Sequence, residues 1–71
     1  MNEAIAEVLR ELRAEHHISQ EKLADAIDSH QVYISEIENG KKTPSLVFLK
    51  EIAAYFSITL TELVRRIEDK F

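Results

Sequence analysis

One glycine, Gly40, and one proline, Pro44, must serve every turn in this chain. A sheet built of hairpins needs residues that reach positive φ at each tight connection, so the sequence lacks the material for one. What it offers instead is apolar residues at helical spacing, interrupted by single polar residues of the kind that cap helices. The sequence therefore predicts an all-α fold, a compact bundle of five short helices.

The first helix is predicted over residues 3 to 15. Ile5, Val8, Leu9 and Leu12 fall on one face, at the i, i+3, i+4, i+7 spacing of an amphipathic helix. Glu3, Glu7, Arg10, Glu11 and Arg13 take the other, where the two arginines moderate the repulsion between Glu7 and Glu11. His16-His17-Ile18 breaks the rhythm. Ser19 reads as the cap of a second helix running from Gln20 to about Ile27, with Leu23, Ala24 and Ile27 inward. Asp28-Ser29 is a short polar step, with Ser29 a further cap candidate. A third helix from about His30 to Asn39 buries Ile34 and Ile37 and ends at Gly40. Lys41-Lys42-Thr43-Pro44 is the one evident loop, because Pro44 disfavours a helical Thr43. Ser45 caps a fourth helix carrying Leu46, Leu49, Ile52, Ala53 and Phe56. Thr59-Leu60-Thr61-Glu62 has the form of a capping box, followed by a fifth helix with Leu60, Leu63, Val64, Ile67 and Phe71.

Length and composition exclude several classes. Seventy-one residues fit one domain, 1–71, with one small core. Cysteine is absent, so no disulfide framework, thiolate metal site or cysteine nucleophile is available, and a reducing, cytoplasmic setting is expected. No apolar run approaches the roughly 18 residues of a membrane span, and the start of the chain lacks the form of a signal peptide, so no membrane partner is expected. His16 and His17 diverge on a helix and neither has a partner at i+4, so no metal is expected. No nucleophile motif and no glycine-rich phosphate loop are present, so the chain is not expected to be an enzyme or to hold a cofactor. Nothing outside the bundle remains for a sensor, so no small-molecule effector is implied.

Two short helices with a very short connection, the second ending in glycine, suggest a helix-turn-helix at about residues 19–39. The order of residues sharpens this. The run Ile18-Ser19-Gln20-Glu21-Lys22-Leu23-Ala24-Asp25-Ala26-Ile27 resembles the first helix of that motif in the Cro-like (XRE) phage-repressor family. Ile34-Ser35-Glu36-Ile37-Glu38-Asn39-Gly40-Lys41 resembles the end of that family's recognition helix. Thr43-Pro44-Ser45-Leu46 and Ser57-Ile58-Thr59-Leu60-Thr61-Glu62-Leu63 resemble its fourth and fifth helices. His30-Gln31-Val32-Tyr33-Ile34-Ser35 is similar to the recognition segment of controller proteins from restriction–modification systems. Three positions depart from the pattern: Asp28 and Ser57 stand where the family usually has glycine, and Ser29 where it has an apolar residue. Asp tolerates a left-handed backbone better than most residues, so the turn can survive.

The resemblance implies a lambda-repressor-like DNA-binding fold and a sequence-specific regulator of transcription, a repressor or controller, with double-stranded DNA as partner. It places His30, Gln31, Val32 and Glu36 at base-reading positions. Gln31 can donate and accept at once, which suits adenine. Val32 can pack on a thymine methyl, His30 can donate to guanine or phosphate, and Glu36 can accept from cytosine. Gln20 is the family's usual phosphate clamp, and Tyr33, Ser35, Asn39, Lys41 and Lys42 are the other phosphate candidates. The formal net charge is −4. Residues 1–28 hold seven carboxylates against three basic groups, while residues 29–71 hold six of each. The excess acid thus lies away from the third helix, and specific contacts and dimer geometry must supply much of the affinity. The fifth helix, about residues 60–70, has more apolar residues than one small core requires. Tyr55, Phe56, Leu60, Val64, Ile67 and Phe71 are therefore the expected surface of a homodimer binding a palindromic operator. The alternative is a protein-interaction module or antitoxin on the same fold, with a protein antagonist or toxin as partner.

Overall fold

The structure, a computed structural model, describes residues 1–71. It holds five helices and no strand, as the sequence predicts: α1 (Asn2–His16), α2 (Gln20–Ala26), α3 (Gln31–Glu38), α4 (Leu46–Tyr55) and α5 (Leu60–Glu68).

Three of the predicted caps form. The Ser19 hydroxyl accepts from the Lys22 amide at 3.0 Å, Ser45 from Phe48 at 3.1 Å and Thr59 from Glu62 at 3.0 Å. Each satisfies an amide that has no partner within its own helix. Only half of the capping box is made, because the Glu62 carboxylate accepts from Arg65 at 3.4 Å instead of reaching back to Thr59. Ser29 is not a cap. The N-cap of α3 is His30, in an extended conformation and without a side-chain cap bond.

One device ends the first four helices. His17, Asp28, Gly40 and Ser57 all have positive φ, at 55°, 55°, 73° and 59°. At each, the left-handed residue and its successor donate back into the last turn. The pairs are His17 to Ala14 and Ile18 to Arg13, Asp28 to Asp25 and Ser29 to Ala24, Gly40 to Ile37 and Lys41 to Glu36, and Ser57 to Ala54 and Ile58 to Ala53. This is the paired hydrogen bonding of a Schellman motif, made four times with only one glycine. Asp28 and Ser57 therefore adopt the backbone that glycine would have adopted.

The core is drawn from all five helices. α1 supplies Ala4, Ile5, Val8, Leu9 and Leu12, and Leu23, Ala24, Ile34, Ile37, Ile52, Ala53, Phe56, Leu63 and Ile67 close around them. α1 packs on both α3 and α5, while α2 packs on α3 and α4 on α5. Some predicted core positions lie outside. Leu46, in the first turn of α4, is 65% exposed, because that turn precedes Phe48 and Leu49, where α4 meets the core. α5 ends at Glu68, so Phe71 is not on the helix. The glutamates of α1 also find other partners than expected. Glu11 and Glu7 pair with Lys70, and Glu15 with Arg66 at 2.5 Å. Arg13 instead turns to Glu38. No helix is long and apolar enough to cross a membrane.

Candidate nucleic-acid interface

α2 and α3 meet through Leu23, Ala24, Ile34 and Ile37, all buried. That contact turns the opposite side of the first turn of α3 to solvent. His30, Gln31 and Val32 are exposed there, Val32 by 70%. His30 has no capping bond, so its imidazole is free to engage a ligand. Tyr33 is half-buried and meets Phe48 edge to face, with ring centroids 5.0 Å apart. The contact fixes the ring. Glu36 and Ser35 are half-buried further along the helix, and exposed Asn39 donates to the Ser35 hydroxyl at 3.4 Å.

Glu38 is the residue that residue-by-residue reading missed. It is 2% exposed. The Arg13 guanidinium grips it as a fork, Nε to Oε2 at 2.5 Å and Nη2 to Oε1 at 2.6 Å. Gln20 Nε2 donates to the same Oε1 at 3.1 Å. Arg13 also donates to the Ile18 carbonyl at 3.0 Å, and Arg10 to the carbonyl of Glu38. The hydrogen bond from Arg13 to Glu38, opposed by desolvation, raises the pKa of the guanidinium further. A carboxylate this buried is tolerable only when paired and hydrogen-bonded, and no buried side-chain polar atom in the chain lacks a partner. The network joins α1, the start of α2 and the end of α3. It also fixes the amide of Gln20, the expected phosphate clamp, with one N–H engaged and the other available. The signal lay in the periodicity: Glu38 follows Ile34 by four residues and so continues the apolar stripe of α3.

Lys41 and Lys42 are exposed, and neither is paired with a carboxylate. They follow α3 directly, at the end where Glu38 holds Gln20. The expected phosphate residues Gln20, Asn39, Lys41 and Lys42 thus gather at the C-terminal end of α3. His30, Gln31 and Val32 lie at its start, and Tyr33, Ser35 and Glu36 between. The arrangement can present hydrogen-bonding and apolar side chains to a groove while cations flank it.

The apolar surface expected on the fifth helix is smaller than predicted. Phe56 is 3% and Ile67 5% exposed. Both are used up in closing the core, so neither can form a patch for a second chain. Phe56 lies against Tyr55, at 5.1 Å between ring centroids, and against His16, at 4.8 Å. What remains outward is Leu60 and Tyr55, half-buried, with Val64 and Phe71 exposed. Leu60, Thr61, Val64, Arg65 and Glu68 line a shallow groove along α5. Leu46 and Val47, at the start of α4, are further exposed apolar side chains. No group of three His, Cys, Asp or Glu side chains converges as a metal site would require.

Residues 9–63 match the helix-turn-helix family. Control protein C.MunI of a Mycoplasma species is 49% identical over 61 residues, which are 84% of this chain and 82% of that protein. The HTH-type transcriptional regulator DdrOP3 of Deinococcus deserti is 34% identical over 64 residues, 90% of this chain and 50% of the relative. Among solved structures, the clp gene regulator ClgR from Corynebacterium glutamicum superposes with a TM-score of 0.89 at 25% identity, over 97% of this chain and 73% of that one.

Proposed function

The chain belongs to the XRE-type helix-turn-helix family of DNA-binding transcription regulators, and from that premise we propose that it binds a palindromic operator as a homodimer, with α3 in the major groove. The observation that carries this reading is the first turn of α3. His30, Gln31 and Val32 are exposed together, and the N-terminal residues of such a helix are those that meet base edges. Gln31 suits adenine and Val32 a thymine methyl, with His30 donating to guanine or phosphate and Glu36 accepting from cytosine further along. Gln20, Tyr33, Ser35, Asn39, Lys41 and Lys42 set the register on phosphates. The remaining outward surface around α5, Leu60 and Val64 with Tyr55 and Phe71, joins two chains so that their recognition helices meet half-sites about one helical turn apart. The likeness to a control protein over most of both chains favours a controller of the restriction–modification type over a phage repressor. A protein of this kind works in the cytoplasm.

Selection from a random duplex pool, followed by sequencing, tests the reading. A two-fold symmetric motif with half-sites about 10 base pairs apart is expected, and Gln31→Ala should relax the preference for adenine within it. Failure of folded protein to enrich any motif would sink the proposal in favour of a protein-interaction module or antitoxin.

A further inference from the structure

The loop carrying Lys41 and Lys42 is tied down at few points. The amides of Gly40 and Lys41 donate back into α3, and the next amide along the chain with a partner is that of Phe48. Buried Pro44 pins one point by apolar contact. Two hydrogen bonds join the loop to another element, and Asn2 makes both. Its Nδ2 donates to the Gly40 carbonyl at 3.4 Å, and its Oδ1 accepts from the Thr43 hydroxyl at 2.5 Å. These two bonds bracket Lys41 and Lys42 in sequence. α1 begins without a side-chain cap. Its first-turn asparagine, a residue type that commonly satisfies free local amides, is engaged with the loop instead.

We infer that Asn2 is a positioning residue for the two lysines, holding both ends of their segment so that the ammonium groups meet phosphate with little further ordering. The inference rests on the proposed reading that Lys41 and Lys42 contact DNA. Its physical basis is that backbone freedom lost on binding subtracts from affinity. With the bracket in place, that freedom is already restricted before DNA arrives. Asn2 itself need not touch the nucleic acid.

Phosphate contact is independent of sequence, so a labelled mixed-sequence duplex at about 50 mM salt is a sufficient probe. Binding is measured for the full chain well below its melting temperature, with folding checked by circular dichroism. Asn2→Ala is expected to weaken binding about 3–10-fold, the value of one hydrogen bond. Thr43→Val should have a similar effect, and the double variant should do little more than Asn2→Ala alone. In a chain already carrying Lys41→Ala and Lys42→Ala, removing Asn2 should change nothing, since no cation is left to position. An equal loss in that background, or no loss from Asn2→Ala beside a clear loss from the lysine variants, overturns the inference and leaves the DNA reading standing. If the lysine variants bind as tightly as the unmodified chain, the loop makes no phosphate contact and both fall together.

Discussion

Asp28 and Ser57 hold positive φ without the freedom of glycine. A left-handed backbone costs an ordinary L-residue roughly 1–2 kcal/mol. Replacing it by glycine removes that strain but adds roughly 0.5–1 kcal/mol of unfolded-state freedom. The difference predicts that Asp28→Gly, at a residue that bears this backbone more readily, stabilises the fold only slightly, and that Ser57→Gly does so by about 0.5–1 kcal/mol. For a chain of this size that is a rise of about 2–8 °C in melting temperature, readable by circular dichroism. Serine loses no helix bond in the exchange, so Ser57→Gly should be free of side effects. Asp28 sits in the helix-turn-helix connection, and its replacement also removes a negative charge beside the recognition helix. Binding to DNA should therefore tighten with Asp28→Gly and stay constant with Ser57→Gly. Glu38 shows the opposite relation between residue and fold. It stands on an apolar stripe, yet its charge is matched by Arg13 and held by Gln20. A buried carboxylate that organises the start of α2 is a local conflict resolved by tertiary partners.

At the level of the helix, α3 shares with α1 a start that no side chain caps. Ser19, Ser45 and Thr59 cap their helices, while α3 opens on His30 with no side-chain bond. Serine at that position should supply the missing cap and stabilise α3 by about 0.5–1 kcal/mol. If His30 reads DNA, His30→Ser should at the same time weaken operator binding, so melting temperature and affinity move in opposite directions. A variant that gains stability and binds as before would remove His30 from the reading set. The packing of α5 on α1 adds a dependence on pH. A hydrogen bond from Arg66 holds the Glu15 carboxyl below the usual carboxylate range. Folding thus favours its ionised form, and the benefit is present at neutral pH and lost as pH falls through that range. A hydrogen bond to Glu11 holds the Lys70 ammonium above its ordinary value, so its benefit is lost only as pH rises beyond the lysine range. Both pairs are exposed and their effects are small. Arg66→Ala should lower the melting temperature at about pH 7, and its difference from the unmodified chain should shrink as acidification protonates Glu15. Helix positions and three of four caps were legible in the sequence, because spacing and capping act within a few residues. The Ser29 cap does not form, because Ser29 closes α2 by donating to the Ala24 carbonyl and α3 starts from His30. The ion pairs of α1 were not legible, since they depend on which face of a neighbouring helix comes within reach, and the local sequence leaves that open.

For the whole molecule, the proposed dimer rests on the apolar surface left on α5. Val64 is 36% exposed, so a charge placed there need not disturb the core. Sedimentation at micromolar concentration should show a dimer, and Val64→Asp should give a folded monomer. A dimer touching about six phosphates has a salt slope of roughly −5, and the monomer should show about half of it. A dimer that survives Val64→Asp would place the contact elsewhere, with the exposed Leu46 and Val47 the next surface to alter. The candidate dimer residues were only partly legible for a reason of size. Apolar residues on one short helix can serve a core or a partner, and Phe56 and Ile67 serve the core. α1 packs against both α3 and α5, and α4 joins the same two helices through the Tyr33–Phe48 contact and its packing on α5. In the proposed dimer joined along α5, the spacing of the two α3 helices would be transmitted through this packing. α1 would then act as a spacer between interface and groove, and a bend introduced in it should change which half-site separation is bound best without altering a reading residue.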